Sequence, residues 1–126
     1  MENYSEIWME KAEEAWDKKD YKQAAHWYRK AAEAGDAGGQ YCLGMCYYGG
    51  LGVKLNEGAA FKWVRKAAEQ NEPDAQKALG DMYLRGEGVK ADEIEALEWY
   101  RKASYNGNGE AGRIVDQMIH ALELMI

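Results

Sequence analysis

The sequence predicts an all-α protein, an α/α solenoid of about three and a half repeated helix pairs, and three observations carry that reading. The stretch from Leu43 to Asn71 recurs thirty-six residues later, from Leu79 to Gly107, in one unbroken register. Leu43, Gly44, Tyr47, Gly50, Gly52 and Val53 return as Leu79, Gly80, Tyr83, Gly86, Gly88 and Val89; Trp63, Arg65, Lys66 and Ala67 return as Trp99, Arg101, Lys102 and Ala103. A fixed period of that length is the signature of an array whose unit is one small supersecondary element. Each copy also holds two apolar-periodic segments of helical length, joined by a short glycine-bearing loop. No segment alternates at period two, as a half-buried strand would.

The first pair is expected over residues 4–18 and 21–34. Ala24, Trp27, Arg29 and Lys30 lie one period before Ala60, Trp63, Arg65 and Lys66, so the second helix of this pair shares the register of the later ones. Asp20 with Gln23 reads as a capping box at its start, and Gly35 tolerates the left-handed conformation that closes it. The second pair is expected over 37–48 and 57–70. Gly44 falls in mid-helix, where glycine costs about 1 kcal/mol against alanine, so close approach of the paired helix is the expected compensation. Ala12 plays that part in the first pair. Gly50 and Gly52 supply positive φ angles in a tight loop, Asn56 caps the next helix, and Asn71 takes the place of Gly35.

The third pair, over 73–84 and 93–106, repeats these devices with Pro73 in a first turn, Gly80 in mid-helix, Asp92 with Glu95 as a capping box and Gly107 as the stop. Arg29 and Lys30, Arg65 and Lys66, and Arg101 and Lys102 are placed in final turns, where cations face the negative end of the helix dipole. A seventh helix, 109–125, matches only the first half of a repeat. Asp116 stands where Gly80 does, since no second helix approaches, and Ile119 replaces Tyr83. Val115 and Met118 then join a stripe with more apolar surface than one neighbour covers. Its outer members Ile119, Leu122, Met125 and Ile126 form a candidate self-association surface, and a homodimer through this helix is one expected partner. One domain spans 1–126, with repeats at about 4–35, 36–71 and 72–107 and a C-terminal capping helix at 108–126.

Composition narrows the function. Hydrophobic residues make up 47% of the 126 and charged ones 30%, which suits a folded chain rather than a disordered one. The formal charge of −6 repels phosphate backbones, so nucleic acid is not an expected partner and basic proteins or peptides are better suited. Met1 to Met9 has no basic leader followed by an apolar run, and no stretch approaches the roughly twenty apolar residues of a membrane helix. The expected setting is the bacterial cytoplasm, with no membrane partner. Cys42 and Cys46 lie four apart on one helix and read as reduced core thiols; a structural zinc site needs four ligands. His26 and His120 are far apart and share no carboxylate, and Ser5 and Ser104 have no lysine three residues on. No catalytic constellation can be assembled, so the chain reads as a non-enzyme with no cofactor and no metal.

The pattern Leu43-Gly44-x-x-Tyr47, Gly50-x-Gly52-Val53, Ala60-x-x-Trp63 and Arg65-Lys66-Ala67-Ala68, with its second copy, resembles the Sel-one-like repeat, a relative of the tetratricopeptide repeat. Residues 37–107 carry two full copies. The first pair is similar to the tetratricopeptide form through Trp8, Ala12, Asp20, Tyr21, Ala24 and Tyr28, and departs from it at Lys11 and Ala15. The resemblance implies a right-handed superhelix of antiparallel helix pairs whose first helices line a concave groove that binds peptides or proteins.

The family's inner-face positions fall on Met9, Glu13 and Trp16, then on Tyr41, Met45 and Tyr48. They continue through Lys77, Asp81, Leu84 and Arg85 to Arg113, Gln117 and His120. Aromatics and methionine in the first half give large apolar contacts, and Lys77, Arg85 and Arg113 follow in the second. That order points to a ligand with an apolar anchor and a nearby carboxylate. In the alternative reading Trp16, Tyr41 and Tyr48 pack between repeats and the charges are solvated surface. The implied function is a non-enzymatic adaptor or scaffold. The alternatives are an inhibitor or immunity protein that neutralises a basic toxin, and a structural oligomer built through the C-terminal helix. Some secreted relatives are described as β-lactam hydrolases, but the cysteine bridges closing each repeat of those relatives are missing here.

Overall fold

The apolar-periodic segments become α-helices in the computed structural model, which describes residues 4–126. They are α1 (Ser5–Asp17), α2 (Tyr21–Glu33), α3 (Ala37–Gly49), α4 (Glu57–Glu69), α5 (Pro73–Arg85), α6 (Glu93–Tyr105) and α7 (Gly109–Leu124). Every boundary lies within a residue of the sequence expectation, because the start and stop signals are local. Met1 to Asn3, part of the segment read for a leader, lie outside the described residues.

At the helix starts Asp20 accepts from the Gln23 amide, Asn56 from Ala59, and Asp92 from Ile94 and Glu95. Only half of each expected capping box forms. The Asp20 and Asp92 backbone N–H groups donate to Ala15 O and Tyr83 O at 2.9 Å, so the preceding helix supplies what Gln23 and Glu95 would have supplied. A second column of caps, Asp36, Glu72 and Asn108, starts α3, α5 and α7 and accepts from the Gly39, Asp74 and Ala111 amides. Gly35, Asn71 and Gly107 all take positive φ. Only the lysine of each Arg-Lys pair stands in the last turn. Those lysines also lie over tryptophan rings one turn back: Lys30 over Trp27, Lys66 over Trp63 and Lys102 over Trp99, at 5.9, 4.8 and 4.2 Å.

Each helix packs mainly on those before and after it in sequence, and burial falls into three clusters instead of one centre. The first joins α1, α2 and α3, the second α4 and α5 with side chains from α3, and the third α6 and α7. Small residues set the helix spacing. A Cβ on Gly44 would stand 2.7 Å from Val64 Cγ2, and one on Gly80 would stand 2.7 Å from Tyr100 Cε1, so glycine is what admits the paired helix. Gly52 and Gly88 have φ near +70° and lie against the backbone of Tyr21 and Glu57, which seats each loop on the second helix of the preceding repeat.

Two buried amides tie repeats together. Gln40 donates to Ala32 O and Gln76 to Ala68 O, while Gln70 and Asn106 donate to the carbonyl oxygens of Gln40 and Gln76. Each amide thus adds a side-chain donor to a carbonyl in the last turn of the preceding helix, which also accepts from the backbone N–H of Gly35 or Asn71.

Candidate partner-binding groove

Helical spacing puts Tyr41, Met45 and Tyr48 on one face of α3, and Lys77, Asp81 and Arg85 on one face of α5. Stacking of the repeats brings those faces together around a cavity of about 160 Å³. All six line it, so just under half of the thirteen inner-face residues expected from the sequence form one site. Asp74, Ala78 and Met82 of α5 and Glu87 of the following loop complete the wall. Tyr41, Met45 and Tyr48 also pack against the α4–α5 core while staying half-exposed. They are therefore core on one side and groove on the other.

The charges are organised in pairs. Lys77 Nζ lies 3.0 Å from Asp81 Oδ2 and 3.4 Å from Glu110 Oε1 of α7. Burial works against the Lys77 charge, but the bond and field of Asp81, with Glu110 behind it, hold the ammonium above its usual range. The Tyr100 hydroxyl donates to Asp81 Oδ1 at 2.5 Å. Tyr48 donates to Glu87 Oε2 at 2.8 Å, which with burial raises the Tyr48 phenol. Arg85 Nη1 is 3.7 Å from Glu87 Oε1. Lys77 and Arg85, the expected readers of a ligand carboxylate, thus each stand beside carboxylates of the chain itself. Glu87 comes from a loop and Glu110 from the next repeat, and neither helical spacing nor the inner-face positions point to them. The one available signal for Glu87 is a departure between copies: it occupies the place of Leu51 between two repeated glycines.

The remaining expected residues lie elsewhere. Trp16 packs within its own pair, edge-on to Tyr21 at 4.9 Å and tilted over Tyr28 at 6.4 Å. Met9 and Glu13 line a separate cleft along α1 with Glu6, Glu10 and Asp36. Arg113, Gln117 and His120 are exposed on α7 and line neither cavity. Leu84 faces a third, apolar groove of about 370 Å³ between α6 and α7, shared with Ile94, Leu97, Met118, Leu122 and Met125. Of the expected self-association residues, Leu122 and Met125 line that groove and Ile126 is fully exposed past the end of α7, whereas Ile119 is half-buried.

The two cysteines are committed to packing. Cys46 is buried and Cys42 half-buried, both free, and burial pushes both thiols up to about 11. Ser104 is exposed, with its hydroxyl beside Gly112 of α7. No helix among the described residues is long and apolar enough to cross a membrane.

Comparison with known proteins places this geometry. The profile of the Sel1 repeat matches residues 16–36, 37–72 and 73–108. Among solved structures, a protective antigen of uropathogenic Escherichia coli displaying an SLR fold is 44% identical, with a TM-score of 0.71, over 72% of this chain and 20% of its own. A Sel1 repeat protein from Oxalobacter formigenes is 41% identical, with a TM-score of 0.72, over 75% of this chain and 39% of its own. Helicobacter pylori cysteine rich protein B is 29% identical, with a TM-score of 0.71, over 73% of this chain and 69% of its own. The chain thus spans well under half the length of the first two. A search of curated proteins gives no match.

Proposed function

The chain belongs to the Sel1 repeat family, and from that premise we propose that it is a non-enzymatic adaptor capturing a segment of another protein in the groove between α3 and α5. Sel1 repeat proteins generally serve as protein-interaction scaffolds. The observation that carries the reading is the α3–α5 cavity itself, where half-exposed Tyr41, Met45 and Tyr48 face a charged α5 wall. Aromatic and methionine side chains held by a core on one side and open on the other are pre-organised for contact, so little ordering entropy opposes binding. An Ala78→Lys variant, which fills the cavity and leaves its walls in place, tests this. Partners identified by affinity capture and mass spectrometry should bind the purified wild type in calorimetry and lose at least about tenfold with the variant. The melting temperature should stay within about 3 °C. Unchanged affinity would remove the groove from the account.

A second reading, self-association through α7, is favoured by a different observation. Within the array each glycine-bearing loop covers the start of the preceding repeat's second helix, Gly52 on Tyr21 and Gly88 on Glu57 and Phe61. One period on, that ground is Glu93 and Leu97 of α6, which instead border the open apolar groove, with Ile94 76% exposed. A second copy's α7, with Leu122 51% and Met125 82% exposed, carries the matching apolar stripe. Light scattering should find a dimer that becomes a monomer when Ile94 and Leu122 are both changed to glutamate. A monomeric wild type across the concentration range removes this reading.

A further inference from the structure

The polar wall of the α3–α5 groove favours a cation over an anion, and we propose that the captured segment anchors there through an arginine or lysine side chain next to an apolar one. This rests on the groove reading above and names the chemistry of its ligand. Asp74, Asp81 and Glu87 line the cavity against Lys77 and Arg85, and Glu110 adds a further carboxylate to Lys77. Lys77 is held by Asp81 and Glu110, and Asp81 also accepts from Tyr100, so that part of the wall is a closed set.

Glu87 is different. Its Oε2 accepts from Tyr48, but its Oε1 is buried and has no hydrogen-bond donor among the described residues. The guanidinium of Arg85 covers that oxygen at 3.7 Å, beyond hydrogen-bond reach, on a side chain that is 59% exposed. A buried acceptor without a donor is costly, so a ligand cation that displaces Arg85 and bonds Glu87 gains an interaction the free protein lacks. The same cation would stand beside the Tyr48 ring, with an apolar neighbour against Tyr41 and Met45. The cleft along α1 points the same way. Glu6, Glu10, Glu13 and Asp36 line it with no cation among them, a field that attracts a basic segment.

The test is amide chemical-shift titration of the full chain with capped hexapeptide pools. Each pool fixes one residue, Arg, Lys, Gln or Glu, between randomised apolar residues. The Arg and Lys pools should shift Tyr48, Arg85 and Glu87 at concentrations at least about tenfold below those needed for the Gln and Glu pools. Glu87→Gln should abolish that preference. Arg85→Gln should strengthen binding of the Arg pool, a gain that a merely structural role for Arg85 would not produce. A Glu pool that binds as well or better, a preference that survives Glu87→Gln, or weaker Arg-pool binding by Arg85→Gln overturns the cationic anchor. If the Gln pool binds the groove as well as the Arg pool, the anchor falls and the groove reading stands. If no pool perturbs α3 or α5, both fall.

Discussion

Gln40 and Gln76 each bond a carbonyl at the end of the preceding helix and receive an amide from Gln70 or Asn106. Replacing Gln76 by leucine leaves the Asn106 side-chain amide without its acceptor and Ala68 O with only its bond from the Asn71 N–H. The expected loss is about 2 kcal/mol of unfolding free energy, measured by denaturant titration. A loss no larger than that of an exposed change such as Lys62→Ala would show that the amide only fills space. The buried thiols give a pH dependence. The fold favours neutral Cys42 and Cys46, whose pKa rises from 9.0 to about 11, so their contribution is complete below 9.0 and is lost as pH climbs toward about 11. Unfolding midpoints should fall across that window, and thiolate absorbance of the folded chain should appear only near its upper end. At this scale the sequence is partly transparent. Gly44 and Gly80 announce a close helix approach because nothing else explains glycine in mid-helix. The recurrence of Gln40 as Gln76 carries no such local cost, and only stacking reveals where these amides point.

The loops that follow α3 and α5 are position markers for the array. A Cβ on Gly88 would enter the backbone of Glu57 and would also require an alanine at φ +74°. Gly88→Ala should therefore cost about 2 kcal/mol or more, against a few tenths for an exposed Gly58→Ala, read from thermal unfolding. Equal small effects would mean that the loop is not seated on α4. Helix ends are legible in the sequence because Asp20, Asn56, Asp92, Pro73 and the Gly35, Asn71 and Gly107 column act within one turn. The capping boxes stop half-formed because Tyr83 O and Ala15 O reach the cap amides first, and those contacts depend on how the chain turns back. The α7 stripe is likewise readable as unpartnered, but the groove it borders also needs Leu84, Ile94 and Leu97, which belong to the preceding repeat.

Across the whole molecule, burial distributed over three clusters leaves the groove-facing side chains of α3 and α5 free to vary without a cost to a single centre. That freedom is why Tyr41, Met45 and Tyr48 can sit opposite Lys77, Asp81 and Arg85 on a framework whose repeats otherwise agree. The six residues are brought together by a period visible in the sequence. The sign of the ligand they suit is not, because Glu87 and Glu110 neutralise the two cations from a loop and from the next repeat. The most direct test of the central claim is photocrosslinking in the native cell with benzoylphenylalanine in place of Met45, set against the same probe in place of the exposed Lys62 on α4. A discrete protein adduct from position 45 with none from 62 is the predicted result. Adducts from 62 alone, or equally from both, would contradict a function carried by the groove.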